Sequence, residues 1–276
     1  MTQKDIDTKN AAFWNELCGS ALARSLGIIE VSPETLRQFD KAYMAMYPYL
    51  KKYFFSENVK GQKVLEIGLG FGTLGQMLVS WGCDYFGLDI AEGPVAMMRY
   101  RLAQLGKDGE EQVKVGSALE IPYSDESFSY VYSIGCLHHT GNLMKAVSEV
   151  YRILVPNGKA IVSLYHSHSF RQIVKVNLIR LRKHLSRLFL VNKQTDVSER
   201  VRGLYDTNQL GVAAPYTGYV SRTEAKQLFK DFTHVKIDIQ NFHKLAFKGR
   251  TIIPRKKLLN NIGRVAGLDL YITAKK

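Results

Sequence analysis

The chain has 276 residues, of which 46% are hydrophobic and 23% charged, and its formal net charge is +13. This length allows one large domain with a substantial core, and no apolar run approaches the roughly 20 residues of a membrane span. The N-terminus lacks the apolar segment of a signal peptide, and the three cysteines have no metal-ligand spacing, so we expect a cytoplasmic protein without a metal site.

The first sixty residues predict two helices. One covers 11–27 and ends at Gly27, and the second covers 32–54, with Ser32 as N-cap and Pro33 at its first helical position. We expect residues 1–60 to form a helical cap segment.

From residue 61 onward, short apolar strands alternate with helices. Strands are predicted over 63–68, 84–90, 112–118, 127–135, 159–166, 234–242 and 268–276. Alternation of this kind favours parallel pairing. We therefore predict an α/β fold with a doubly wound, mostly parallel seven-stranded sheet.

Residues 166–220 interrupt the alternation after the fifth strand and are too long for a plain loop. Their first half, 170–190, has the pattern of a basic amphipathic helix, so we predict a basic helical insertion that acts as a lid, with 221–276 completing the core sheet. Residues 165–202 contain nine Lys or Arg and two acidic residues, and residues 244–276 contain nine Lys or Arg and one acidic residue. These segments suit an acidic or phosphorylated acceptor, peripheral contact with an anionic membrane surface, or simply a solvated basic surface.

The stretch EIGLGFGTLG, residues 66–75, contains a literal G-x-G-x-x-G motif. In a dinucleotide-binding fold such a loop holds a pyrophosphate at the N-terminus of a helix. Here Glu66 precedes the glycines; its carboxylate would repel a pyrophosphate and suits a cationic ligand. Asp89, which ends the second strand, could accept hydrogen bonds from both hydroxyls of a ribose. The residues therefore favour S-adenosylmethionine over a nicotinamide dinucleotide.

Five segments in order, VLEIGLGFGT, GLDI, GSALEIPYSDESFSYVYS, LHH and EVYRILVPNGKAIVS, resemble class I S-adenosylmethionine-dependent methyltransferases of the small-molecule type. The resemblance covers about 61–164 and implies that 61–165 is a Rossmann-like cofactor-binding core. It implies cofactor contacts from Trp14, Glu66, Gly68, Gly70, Gly72, Asp89, Ile90, Ser117, Ala118 and Ser133. Family members often have Asp where Ser117 stands, so the adenine contact there is expected to be neutral.

Two histidines, His138 and His139, follow the fourth strand, beside the expected position of the transferred methyl group. Either could be the general base for a hydroxyl acceptor, or a hydrogen-bond partner that only supports the structure. His166 and His168 have a spacing that metals use, but no third ligand accompanies them, so no metal is predicted. Cys136 is interpreted as an inert thiol.

The predicted function is transfer of a methyl group from S-adenosylmethionine, with S-adenosylhomocysteine as product, to O, N or S of a small or medium metabolite. An RNA methyltransferase that uses the basic segments remains an alternative, although no nucleic-acid-binding module is recognisable, so a nucleic-acid partner is disfavoured. A cofactor-binding protein without transfer activity is the other alternative. The acceptor and the oligomeric state are not predicted.

Overall fold

The computed structural model describes residues 1–16, 20–54, 56–179, 181, 197–247 and 250–276. Nine strands are present in this part of the chain: β1 (Lys63–Ile67), β2 (Asp84–Asp89), β3 (Val113–Val115), β4 (Phe128–Ile134), β5 (Leu154–Tyr165), β6 (Thr233–Gln240), β7 (Leu245–Phe247), β8 (Arg250–Ile253) and β9 (Asp269–Lys275).

Seven of these strands form one sheet in the order β3-β2-β1-β4-β5-β9-β6, and β7 and β8 form a separate antiparallel hairpin. Strands β1 to β5 pair in parallel, whereas β9 runs antiparallel to both β5 and β6. The predicted doubly wound, mostly parallel seven-stranded sheet is confirmed. Because β9 is antiparallel, its first residue lies at the sheet edge where β5 ends, with Asp269 opposite Tyr165.

Helices cover both faces of the sheet. They are α1 (Gln3–Trp14), α2 (Ser20–Ser25), α3 (Pro33–Met46), α4 (Ser56–Val59), α5 (Thr73–Ser80), α6 (Glu92–Gln104), α7 (Leu143–Ile153), α8 (Val197–Arg202), α9 (Arg222–Leu228) and α10 (Arg255–Leu259). Residues of α7 and α9 pack into one hydrophobic core, and residues of α5, α6 and α10 pack into a second. No helix within the described ranges is long and apolar enough to cross a membrane.

The N-terminal helices differ from the prediction of one helix over 11–27. The first helix begins much earlier because Thr2 and Asp5 form a capping box, a signal that does not depend on apolar spacing. A second, separate helix, α2, follows. The predicted start behind Ser32 is confirmed, but α3 ends at Met46 and the chain continues as a 3-10 helix over Pro48–Tyr53. Pro48 explains the break, because a residue that precedes proline is disfavoured in the α conformation.

In the C-terminal half, one predicted helix differs from the structure, and the structure contains elements that were not predicted. Of the amphipathic helix predicted over 170–190, the structure describes a π-helical turn at Arg171–Val176 and a short helical continuation; most of 180–196 lies outside the described residues. Val174, Leu178 and Leu181, three apolar residues of that predicted helix, are exposed. The β7–β8 hairpin and α10 had no recognisable sequence signal.

Candidate cofactor and acceptor site

A cavity of about 340 Å³ lies at the edge of the sheet where β1, β2 and β4 end. One end is lined by the loops that follow β1, β2 and β3. The other end is lined by residues that follow β4 and by Tyr165, Asp206, Asn241 and Asp269. Helices α1 to α3 contribute the wall that faces the sheet edge. Parallel strands of doubly wound sheets bind their ligands at this edge.

The glycine loop turns the chain from β1 into α5. Gly68, Gly70 and Gly72 all have positive φ, at 86°, 52° and 72°, where a side chain is strained. A Cβ on Gly68 would lie 2.4 Å from the Cβ of Cys136. Gly68 and Gly70 line the cavity, whereas Gly72 precedes the first residue of α5 and faces the Arg101 side chain beneath the loop.

The carboxyl group of Glu66 lies at the floor of the cavity and is 3% exposed. The hydroxyl of Tyr85 donates a 2.6 Å hydrogen bond to its Oε2. Burial raises the pKa of Glu66 to about 8. A positively charged ligand beside this group would favour its ionised form.

The second acidic residue, Asp89, ends β2. Its Oδ2 accepts a hydrogen bond from the Leu69 N–H at 2.8 Å and its Oδ1 accepts one from the Ala91 N–H at 3.0 Å. Burial raises the pKa of Asp89 to about 6. Each oxygen keeps a second lone pair, so the carboxylate can still accept both hydroxyls of a ribose.

Three further residues with a predicted cofactor role, Ile90, Ser117 and Ala118, line the same end of the cavity. The Ser117 hydroxyl oxygen accepts a hydrogen bond from the Leu119 N–H at 3.2 Å, which orients it. The geometry thus brings the Asp89 carboxylate and the three residues predicted to contact adenine to the same end of the cavity.

The charge of the lining distinguishes between the candidate ligands. Its described members include five acidic residues and no Lys or Arg; the acidic residues are Asp7, Glu66, Asp89, Asp206 and Asp269. A pyrophosphate needs cations or a free helix N-terminus, and these carboxyl groups oppose it. An ammonium, a sulfonium and a ribose diol suit such a lining. The residues present therefore fit S-adenosylmethionine.

The two histidines have different positions. His139 lines the cavity and His138 does not. His139 Nδ1 lies 2.7 Å from the carbonyl oxygen of Tyr216, and because a carbonyl only accepts, Nδ1 must donate. Its Nε2 faces Oδ2 of Asp206 at 3.6 Å. Burial lowers the pKa of both histidines, so the neutral ring is favoured, and only His139 can reach a ligand.

Trp14 and Ser133 also have different surroundings. Trp14 lines the cavity, with its ring centroid 4.7 Å from that of His139. Ser133 is fully buried, its hydroxyl donates a 3.1 Å hydrogen bond to the Ile67 carbonyl, and it is not part of the described lining. Ser133 thus connects β4 to β1. In the part of the chain that the structure describes, no group of three or more His, Cys, Asp or Glu could hold a metal ion.

Sequence reasoning missed four polar residues at the far end of the cavity: Tyr165, Asp206, Asn241 and Asp269. Asp269 had one usable signal, since it begins the predicted last strand, but its place at this edge depends on that strand being antiparallel. For Asp206, which lies inside the insertion, nothing in the sequence indicated its approach to His139.

Residues 65–162 match a family model described as a methyltransferase domain. Together with the sheet order, the glycine loop and Asp89, this match makes the domain similar to class I S-adenosylmethionine-dependent methyltransferases.

Among curated proteins, the chain is similar to phosphoethanolamine N-methyltransferase 2 of Caenorhabditis elegans, with 31% identity over 40% of this chain and 25% of that protein. It is also similar to 24-methylenesterol C-methyltransferase 2 of Arabidopsis thaliana, with 32% identity over 40% of this chain and 29% of that protein. The chain thus spans less than a third of the length of either relative.

A solved structure described as a SAM-dependent methyltransferase from Archaeoglobus fulgidus covers 85% of this chain and 94% of its own, with 15% identity and a TM-score of 0.53. This likeness concerns the fold.

Proposed function

We propose that the protein is an S-adenosylmethionine-dependent methyltransferase that acts on a small-molecule acceptor. One observation carries the proposal: a single cavity joins the expected cofactor residues, Glu66, Gly68 and Asp89, to a second set of polar residues around His139 and Asp206. A donor and an acceptor held in one enclosed space meet the main requirement of methyl transfer, which is positioning.

The bound cofactor supplies an electrophilic methyl group whose bonding electron pair leaves with sulfur. The chain's own residues would hold it: Glu66 faces the cationic methionine end, Asp89 the ribose, and Ser117 and Ala118 the adenine. Gly68 and Gly70 line the cavity with positive φ, and the missing side chain of Gly68 leaves room for Cys136 behind it.

We further propose that the described parts of the N-terminal segment and of residues 166–220 form a cap over the acceptor end. Trp14 from α1 and Asp206 from the insertion both line the cavity. The Gln209 N–H donates a 2.8 Å hydrogen bond to Oε2 of Glu16, which joins the two segments directly. A cap of this kind excludes water from the site.

The acceptor is proposed to be a metabolite rather than RNA, since no Lys or Arg belongs to the described lining. The same observation argues against the acidic or phosphorylated acceptor expected from the basic segments. One of the two relatives above is named as an N-methyltransferase and the other as a C-methyltransferase. A carbon atom is therefore a further candidate for the methyl-accepting atom, besides O, N and S. Cys83 is a buried free thiol, which supports a location in the cytoplasm.

The test is calorimetry with S-adenosylhomocysteine and with a nicotinamide dinucleotide, followed by transfer of a labelled methyl group to a panel of amines, alcohols, thiols and carbon nucleophiles. Binding of S-adenosylhomocysteine alone, together with transfer to at least one acceptor, supports the proposal. Binding without transfer to any of the four classes supports the alternative of a binding protein without activity, and preference for the dinucleotide contradicts the assignment.

A further inference from the structure

The end of the cavity that lies away from the glycine loop contains two acidic side chains from distant parts of the chain. Asp206 comes from the insertion, and Asp269 begins β9. The Tyr165 hydroxyl donates a 2.8 Å hydrogen bond to Oδ2 of Asp206, and the Asn241 side-chain amide donates a 2.9 Å hydrogen bond to Oδ2 of Asp269. Each carboxyl group is thus oriented through one oxygen.

The other oxygen of Asp269 has no hydrogen-bond partner among the described residues, although the residue is only 8% exposed and lines the cavity. Burial is the main cause that raises the pKa of Asp269 to about 7; the charge of Asp206 adds to it, while Arg171 and Arg255 oppose it. A buried acceptor atom without a donor is costly, and a carboxyl group in this setting gains from a nearby cation.

The Nε2 atom of His139 is also buried without a hydrogen-bond partner in the described part of the chain. In the neutral ring this atom is an acceptor, because Nδ1 donates to the Tyr216 carbonyl. It faces a carboxylate oxygen of Asp206 at 3.6 Å, so two acceptors point at each other. A ligand group with several N–H donors, placed beside both acceptor atoms, would satisfy both of them.

We propose that His139, Asp206 and Asp269 form an acceptor subsite that binds the protonated amine of the methyl acceptor. This proposal rests on the proposed function and names its substrate class. The ammonium donates to the unused oxygen of Asp269 and to Asp206, and Trp14 and Tyr165 line the same cavity. An anionic acceptor would meet two carboxyl groups there and no Lys or Arg of the described lining.

An ammonium has no lone pair, so it must lose one proton before its nitrogen can accept a methyl group. Nε2 of His139 is the base in reach, and Asp206 stabilises the imidazolium that results. The free amine then forms the carbon–nitrogen bond as the carbon–sulfur bond breaks, with the electron pair left on sulfur. The positive charge lost from the sulfonium reappears on the methylated nitrogen, and the proton on His139 passes to solvent.

The experiment measures binding rather than turnover. With S-adenosylhomocysteine at saturation, calorimetry compares benzylamine, benzyl alcohol and benzoate, three probes of similar size that differ in charge. We expect benzylamine to bind about tenfold or more tightly than benzyl alcohol, and benzoate to bind most weakly, because one charge-assisted hydrogen bond corresponds to about this factor.

The variant Asp269→Asn should lower the affinity for benzylamine about tenfold while the affinity for S-adenosylhomocysteine stays unchanged. The matched control is Asp125→Asn, an exposed aspartate paired with Arg152 away from the cavity. Asp206→Asn, which keeps an oxygen for the Tyr165 hydroxyl, is the second variant should Asp269→Asn fold poorly.

Equal binding or no binding of the three probes, or an unchanged preference in both variants, overturns the subsite. Tighter binding of benzyl alcohol points to a hydroxyl acceptor and overturns it as well. Failure of S-adenosylhomocysteine itself to bind would instead contradict the proposed function, so the two failures are distinguishable.

Discussion

The substitution Glu66→Gln should make the protein more stable and at the same time weaken its hold on the cofactor. Burial raises the pKa of Glu66 from 4.5 to about 8, so the folded chain keeps a proton there that the unfolded chain releases near neutral pH. Stability is therefore lost as the pH rises from about 4.5 towards 8. Gln is neutral at every pH and keeps an oxygen that can accept the Tyr85 hydroxyl.

Between the unfolded and the folded pKa, each pH unit changes the unfolding free energy by about 1.4 kcal/mol. The expected gain from Glu66→Gln is therefore under about 1 kcal/mol at pH 5 and roughly 3 kcal/mol at pH 7. Urea unfolding of the cofactor-free protein at both pH values measures it. The matched control is Glu149→Gln. Hydrogen bonds from Arg152 lower the pKa of Glu149, so this variant should lose stability, and lose more of it above pH 4.5 than below.

Glu66→Gln stabilises the cofactor-free protein, but it should weaken cofactor binding. Binding of a cation beside Glu66 favours the ionised carboxylate, so binding to the native protein should release a proton below about pH 8. Calorimetry of S-adenosylhomocysteine in buffers of different ionisation enthalpy detects that proton, and Glu66→Gln should abolish it and reduce the affinity. If the stability gain is the same at pH 5 and pH 7, or if proton release survives the substitution, the assignment of Glu66 to a cationic ligand is refuted.

Three further substitutions test other parts of the site. Asp89→Asn should weaken S-adenosylhomocysteine binding by about tenfold in calorimetry, since a charged acceptor of the ribose hydroxyls is lost; unchanged affinity would remove the ribose role. His139→Ala should reduce turnover by about 10²–10⁴-fold with cofactor affinity kept, whereas His138→Ala, behind the cavity, should lower only the melting temperature; equal kinetic losses would contradict the distinction. Asp40→Ala should cost about 3–5 kcal/mol in urea unfolding, because it leaves the buried Arg101 guanidinium without its bidentate partner; a loss below about 1 kcal/mol would show that Arg101 finds another partner.

The core sheet could be predicted because each strand has its own local signal. Apolar runs bounded by glycine or proline mark β1 to β5, and the capping box of Ser221 with Glu224 marks the start of α9. These features depend on neighbouring residues alone. The glycine loop and Asp89 are local too, so short motifs were enough to predict that these residues share one end of a cavity.

The acceptor end was not recognisable because its residues are brought together by tertiary structure. Asp206 and Asp269 are far from His139 in sequence. The approach of Asp206 to His139 depends on the path of the insertion, and the place of Asp269 at this edge depends on the antiparallel direction of β9. The basic segments led to the expectation of an acidic or phosphorylated acceptor, but the net charge of a segment does not show which side chains face a cavity. Among the described residues, arginines from these segments lie behind the lining: Arg255 donates to Asn241, which in turn holds Asp269.

Helix α1 should control how fast the cofactor leaves. The side-chain amide of Asn10, only 3% exposed, donates a 2.7 Å hydrogen bond to the His139 carbonyl, and Trp14 packs on the ring of the same histidine. Asn10→Ala leaves that carbonyl without its donor, at a cost of about 1–3 kcal/mol. If the whole cost destabilises the closed position of α1, the helix should open roughly 5- to 150-fold faster.

Stopped-flow fluorescence can measure this opening, because Trp14 lines the cavity and the chain has only one other tryptophan, Trp81. In a Trp81→Phe background, S-adenosylhomocysteine should dissociate faster from Asn10→Ala than from Lys9→Ala, the control at an exposed position of the same helix. Equal rates in the two variants would mean that α1 stays open or closed independently of this bond. In that case the barrier to release must lie in other contacts of the cap, such as the hydrogen bond that joins Gln209 to Glu16.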